Sequence, residues 1–177
     1  MAPITLPAEF GYVGLVVAAT FFMNFWHMMR IGSLRKKYKI EYPAMTSDKH
    51  QDFMYAQRVH QNNLEQLPFF YVNLVCRVGY SPNMLILTAI HFHSLIPQCT
   101  LLYFRLFRYH SQLLAAAASP TTAAIMGTVW VIGRIVYSLG YYSAPSYRVP
   151  GAIGSSLTLA ALAIYNIYSS LKLLKVF

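Results

Sequence analysis

At 177 residues, with 56% hydrophobic and 11% charged residues and a mean hydropathy of +0.42, the chain has room for one domain and does not have a soluble profile. Its formal net charge of +9 could suggest a nucleic-acid partner. The basic residues instead gather at the ends of apolar segments, as they do in membrane proteins, which argues against nucleic acid. Two cysteines are too few for a disulfide framework, and Cys76 and Cys99 both lie in apolar runs, where they read as packing residues.

Apolar stretches of about 20 residues read as membrane-spanning helices. The first is predicted over Glu9 to Ile31. It has no basic residue before it and no small-x-small cleavage site, so it is expected to be a retained helix and not a cleaved leader. A basic run follows, Arg30, Arg35, Lys36, Lys37 and Lys39, and Tyr42-Pro43 breaks regular structure. Helix 2 is predicted from Gln51 to about Val78, ending at the turn signal Gly79-Tyr80-Ser81-Pro82. Helix 3 fits Thr121 to Tyr142, stopped by Ala144-Pro145-Ser146, and Pro150 suits the first turn of a helix 4 running to Leu174.

Between helices 2 and 3 lies an extra apolar segment, about 83–119, carrying His91, His93, Pro97, Gln98, Arg105 and Arg108. The two histidines alternate along a segment without carboxylates, and Cys99 reads as a packing residue, so no metal site is expected there. Lys and Arg concentrate in the first polar loop, which places that loop on the cytosolic side. Helices 2 and 3 then meet on the lumenal side only if the extra segment crosses the membrane an even number of times or not at all. The expected fold is therefore all-α, a transmembrane four-helix bundle over residues 1–177 with an atypical insertion.

Polar residues inside such helices are costly unless partnered, and so point to function. An α-helix turns about 100° per residue, so Arg58, Asn62 and Glu65 fall on one stripe of helix 2, with Gln61 beside it and His60 pointing largely away. Arg134, Tyr137 and Tyr141 form a second stripe on helix 3, and Arg148 lies just beyond it. On spacing alone these groups serve as interhelix locks or as a binding site. Several guanidinium groups, one carboxylate, an amide and two phenols suit a small zwitterionic ligand with free carboxylates and an ammonium group.

At these residues the chain resembles the MAPEG family of membrane-associated proteins in eicosanoid and glutathione metabolism. The matching stretches are Tyr38-Lys39-Ile40-Glu41-Tyr42-Pro43, Arg58-Val59-His60-Gln61-Asn62-Asn63-Leu64-Glu65, and Gly133-Arg134-Ile135-Val136-Tyr137-Ser138-Leu139-Gly140-Tyr141-Tyr142. Arg148 follows, before Gly151-Ala152-Ile153-Gly154. The resemblance implies four-helix subunits in a homotrimer of the endoplasmic reticulum or nuclear envelope, with glutathione bound between subunits. By motif position, Arg58, Asn62, Glu65, Arg134, Tyr137 and Tyr141 would line the glutathione site, Glu65 taking the ammonium group. Arg35 would reach a glutathione carboxylate from the neighbouring helix 1. Arg148 matches the arginine that the family places at the glutathione sulfur.

A thiol with a pKa near 8.5 is only a few per cent thiolate at pH 7, and the thiolate is the nucleophile. A guanidinium cannot act as a base there, so Arg148 would stabilise the anion electrostatically. The implied co-substrates are hydrophobic electrophiles or lipid hydroperoxides delivered from membrane lipid, and no metal is called for. Gln66 stands where leukotriene C4 synthase-like members carry Tyr, which favours the microsomal type 3 branch. The family joins helices 2 and 3 by a short turn, so segment 83–119 departs from it. A retained intron or gene-model error, or a genuine lumenal or interfacial excursion, would account for it. Rival functions are a non-catalytic lipid-binding scaffold, a conjugating enzyme of the leukotriene C4 synthase kind, and a structural membrane protein.

Overall fold

A computed structural model of the chain describes residues 8–76 and 120–173. The predicted insertion at 83–119, with His91, His93, Cys99, Arg105 and Arg108, lies outside the described residues. So do the last residues expected of helices 2 and 4. Among the described residues the elements are α1 (Phe10–Tyr38), α2 (Gln51–Cys76), α3 (Pro120–Ser143), a 3-10 turn (Pro145–Arg148) and α4 (Val149–Leu173), with no strand.

Three of these helical stretches, Phe10–Tyr38, Pro120–Ser143 and Pro145–Tyr168, are long and apolar enough to cross a membrane. Their outward positions are apolar to match: Leu15, Phe21, Phe22, Phe25 and Met29 on α1, Ile125, Ile132 and Leu139 on α3, Ile153, Leu157 and Ile164 on α4 are all exposed. The α2 helix is the polar one, because it carries Asp52, Arg58, His60, Gln61, Asn62, Asn63 and Glu65 ahead of Pro68.

The boundaries of α2, α3 and α4 fall within a residue or two of expectation where they are described. The first helix does not stop at Ile31 but continues to Tyr38. The basic run that reads as a loop is helical because Arg and Lys are good helix formers and because cations favour a helix C-terminus. The end is a Schellman turn: Lys39 takes a left-handed conformation (φ 54°) and Ile40 N–H bonds back to the Arg35 carbonyl at 3.0 Å. Ile40 then packs on the cluster of Ile31, Phe53 and Ala56. A Cβ in the left-handed region costs on the order of 1 kcal/mol. Lys39→Gly is therefore expected to stabilise the protein by up to about 1 kcal/mol, read as a higher unfolding midpoint in detergent.

The described chain falls into two compact units, which part inside α2 at Leu67 and Pro68. One comprises residues 8–13, 68–76, 120–127 and 159–173. Its apolar core includes Phe70, Leu74 and Leu162, all fully buried. There Asn166 Nδ2 donates to the Asn73 side-chain carbonyl at 3.0 Å, so a polar pair joins α2 to α4 within apolar surroundings.

The other unit, Gly14–Leu67 with Thr128–Thr158, holds every residue singled out as a candidate site. Within it α3 and α4 run antiparallel at very close range. A Cβ added to Gly133 would press on the Ser155 backbone at 3.0 Å. One on Gly151 would strike the Tyr137 backbone, and one on Gly140 the carbonyl of Tyr147. These are successive rungs of one register, Gly133 to Ser155, Tyr137 to Gly151, Gly140 to Tyr147. Small residues are what lets two helix backbones approach this closely.

Candidate functional site

Directly beside the last of these contacts stand Tyr141 and Arg148. The guanidinium of Arg148 lies over the Tyr141 ring, 5.1 Å from its centroid. Arg148 ends the 3-10 turn and is exposed, whereas Tyr141 and Tyr137 are buried at 7% and 5% exposure. Tyr141 stacks edge-on against Tyr137 (5.8 Å) and Tyr55 (5.7 Å), over Val59 and Ala152. The Tyr137 hydroxyl accepts a hydrogen bond from Asn62 Nδ2 at 2.6 Å. The structure thus brings Asn62, Tyr137, Tyr141 and Arg148 into one line across α2, α3 and the turn.

Arg58 and Glu65 are not drawn into that line. Both are exposed on the outer face of α2, with Glu65 accepting a 3.3 Å bond from Gln61 one turn earlier. The stripe expected at positions 58, 62 and 65 is real as a face of the helix, with Asn62 at its inner edge.

Two further candidates, Arg35 and Arg134, are buried. Arg35 is buried (6% exposed), and its guanidinium serves its own chain. Nη2 donates to the Ala44 carbonyl at 2.7 Å and Nη1 to the Glu41 carbonyl at 3.5 Å, with the Tyr42 ring 4.2 Å from its carbon. The loop after α1 has carbonyls that no helix satisfies, and a guanidinium fork is suited to collect them. Arg134 is 4% exposed and lies beneath Tyr137, its carbon 4.2 Å from the ring centroid, instead of beside the two tyrosines as a ligand arm.

Beneath the line lies a buried network that the two-stripe pattern misses. Arg134 Nε donates to Asn63 Oδ1. The Asn63 amide nitrogen lies 2.7 Å from His27 Nε2 and 3.3 Å from Ser138 Oγ. His27 Nδ1 is 2.7 Å from the Tyr142 hydroxyl, and Arg30 stacks over the Tyr142 ring at 4.0 Å. Because Arg134 can only donate, Asn63 must turn its oxygen toward it and its NH₂ toward His27. His27 Nε2 is then the acceptor and Nδ1–H the donor to Tyr142. A signal was available in the sequence: His27 is an ionisable residue amid apolar ones, and Asn63, one residue past Asn62, faces about 100° away from the 58/62/65 stripe.

The electrostatics are one-sided. Against 14 Lys and Arg the whole chain has only 5 Asp and Glu. Among the described residues none of Arg30, Arg35, Arg58, Arg134 and Arg148 forms an ion pair. Arg134 Nη2, Arg30 Nε and Arg35 Nε are buried without a hydrogen-bond partner in the described structure. A set of guanidinium groups without counter-charges, one of them exposed on a tyrosine face, is suited to an anionic ligand.

The MAPEG family profile matches residues 13–93 and 104–168, most of the chain and all of the site. The chain belongs to the MAPEG family. Its fold class is accordingly the all-α transmembrane bundle of that family, and the protein is an integral membrane protein. This MAPEG chain is also similar to an uncharacterized protein of Synechocystis sp., 30% identical over 172 residues that cover 96% of this chain and 97% of the relative. The break in the family match, between 93 and 104, falls inside the stretch set apart at 83–119. MAPEG proteins include glutathione transferases and peroxidases, which gives the chemical class in which the site is to be understood.

Proposed function

We propose that this MAPEG protein is a membrane-bound glutathione transferase and glutathione-dependent peroxidase of the microsomal glutathione S-transferase 3 kind. Its second substrates are hydrophobic electrophiles and lipid hydroperoxides. The observation that carries this is Arg148: an exposed guanidinium without a carboxylate partner among the described residues, seated on Tyr141 at the end of the Asn62–Tyr137–Tyr141 line. The chain's excess of basic over acidic residues suits the two carboxylates and the ionised sulfur of glutathione.

Glutathione supplies the nucleophilic sulfur for conjugation. In peroxide reduction two molecules supply two electrons and leave as the disulfide, with the lipid alcohol and water. The protein's part is to bind and to hold charge. Arg148 favours the ionised thiol, each pKa unit of depression corresponding to about 1.4 kcal/mol. Tyr137 and Tyr141 donate hydrogen bonds to the anion, and Asn62 fixes the Tyr137 hydroxyl. Glu65 takes the ammonium group. Arg58 and Glu65 face outward from their own subunit, where a neighbouring copy in a homotrimer would close the site. The membrane concerned is that of the endoplasmic reticulum or nuclear envelope.

The purified protein is expected to show the ultraviolet difference band of bound glutathione thiolate and to turn over cumene hydroperoxide with glutathione consumption. Binding without turnover would support a lipid-binding scaffold instead. Absence of binding would reduce the polar line to an interhelix lock.

A further inference from the structure

Arg134 presents a problem of charge. It is buried, and the groups its guanidinium meets among the described residues, Asn63 and the Tyr137 ring, are neutral, with Ser138 and His27 next to Asn63. A lone buried cation is costly, and a carboxylate at position 63 would compensate it at once. The chain places an amide there instead, so the charge stays uncompensated against the face of Tyr137. The hydroxyl of that same tyrosine accepts from Asn62, which leaves its own hydrogen without an acceptor among the described residues. A cation over a phenol ring draws electron density from it and strengthens the hydroxyl as a donor.

We infer that Arg134 is a positioning residue for Tyr137. Its charge, held under the ring by the Asn63–His27 pair and left unneutralised, makes the Tyr137 hydroxyl a stronger hydrogen-bond donor to an anionic ligand that Arg134 itself does not touch. Asn63 and His27 belong to the same device. Asn63 anchors the guanidinium without cancelling it, and His27, tied to Tyr142 on its far side, fixes the orientation of Asn63. The ligand meant is glutathione, so this rests on the proposed function.

The discriminating substitution is Asn63→Asp. The new carboxylate still accepts from Arg134 Nε, and His27 can switch tautomer to donate to it from Nε2, so the network and the fold are preserved while the charge is neutralised. In the full-length protein in detergent, the KM for glutathione is expected to rise about 3- to 30-fold, the range of a desolvated cation–π contact, with kcat little changed. The tyrosine absorption band should shift in the variant-minus-wild-type spectrum, and that shift should vanish when both proteins also carry Tyr137→Phe. Ser138→Ala, which disturbs the same network without touching the charge, should leave both readouts in place.

An unchanged Tyr137 band in Asn63→Asp, or an equal rise in KM with Ser138→Ala, overturns the inference. The band needs no glutathione. If wild-type protein binds none, the proposed function fails while the effect of Arg134 on Tyr137 is still decided.

Discussion

Arg148→Ala is expected to lower turnover with glutathione by on the order of 100-fold or more, the scale of losing one preorganised electrostatic contact to a developing anion. The thiolate difference band should fall with it. The reason lies in what Arg148 does not do. Its side chain is exposed at the end of the 3-10 turn and rests on the Tyr141 ring, so truncating it leaves the backbone contacts between α3 and α4 untouched. Size-exclusion behaviour and unfolding midpoint in detergent should therefore match wild type. Arg148→Lys should recover only part of the loss, because an ammonium group keeps the charge but not the planar face that rests on the ring. Full activity in Arg148→Ala would remove this residue from the mechanism.

The second large effect is on the fold itself. Gly151→Ala adds one methyl group where the backbone nitrogen of Tyr137 already stands, with the Gly133 carbonyl 2.8 Å from the same point. Backbone cannot swing aside as a flexible side chain can, so α4 must move away from α3. Overpacking of this kind costs roughly 1–3 kcal/mol and more where backbones collide. The variant is expected to lose at least about 3 kcal/mol and with it the seat of Arg148. Gly154→Ala is the control: a Cβ there meets nothing within 4 Å. Both variants can be followed by thermal or denaturant unfolding in detergent, and equal midpoints would show that the close approach is not needed.

The fold was legible in the sequence wherever an apolar run ended on a strong stop. Pro145 and Pro150 mark the turn between α3 and α4, and His50 and Gln51 the start of α2. The end of α1 was not, because Arg35, Lys36 and Lys37 are compatible with a loop and equally with a helix C-terminus, and only the Lys39 turn distinguishes them. Helical periodicity put Asn62 on one stripe and Tyr137 with Tyr141 on another, and the family resemblance joined the two and added Arg148. What periodicity could not give is which side of each stripe faces inward. Asn63 and Arg134 meet behind the tyrosines through a contact 71 residues apart in sequence, and His27 joins them from a third helix. The setting of Arg35 was illegible for a related reason: a buried guanidinium can serve a ligand or its own chain, and only the path of the loop at 41–45 shows that it collects backbone carbonyls.

The glycine rungs between α3 and α4 also govern which kinds of change the protein can absorb. Outward positions such as Ile132, Leu139, Ile153 and Leu157 are exposed, so the close approach of the two backbones sets no limit on their shape. Chain length has no such freedom. One residue more or fewer between Gly140 and Tyr147 would slide one helix along the other, and Arg148 would come to rest beside a different partner. In this hairpin the number of residues between Gly140 and Tyr147 constrains the site as firmly as the side chains that line it.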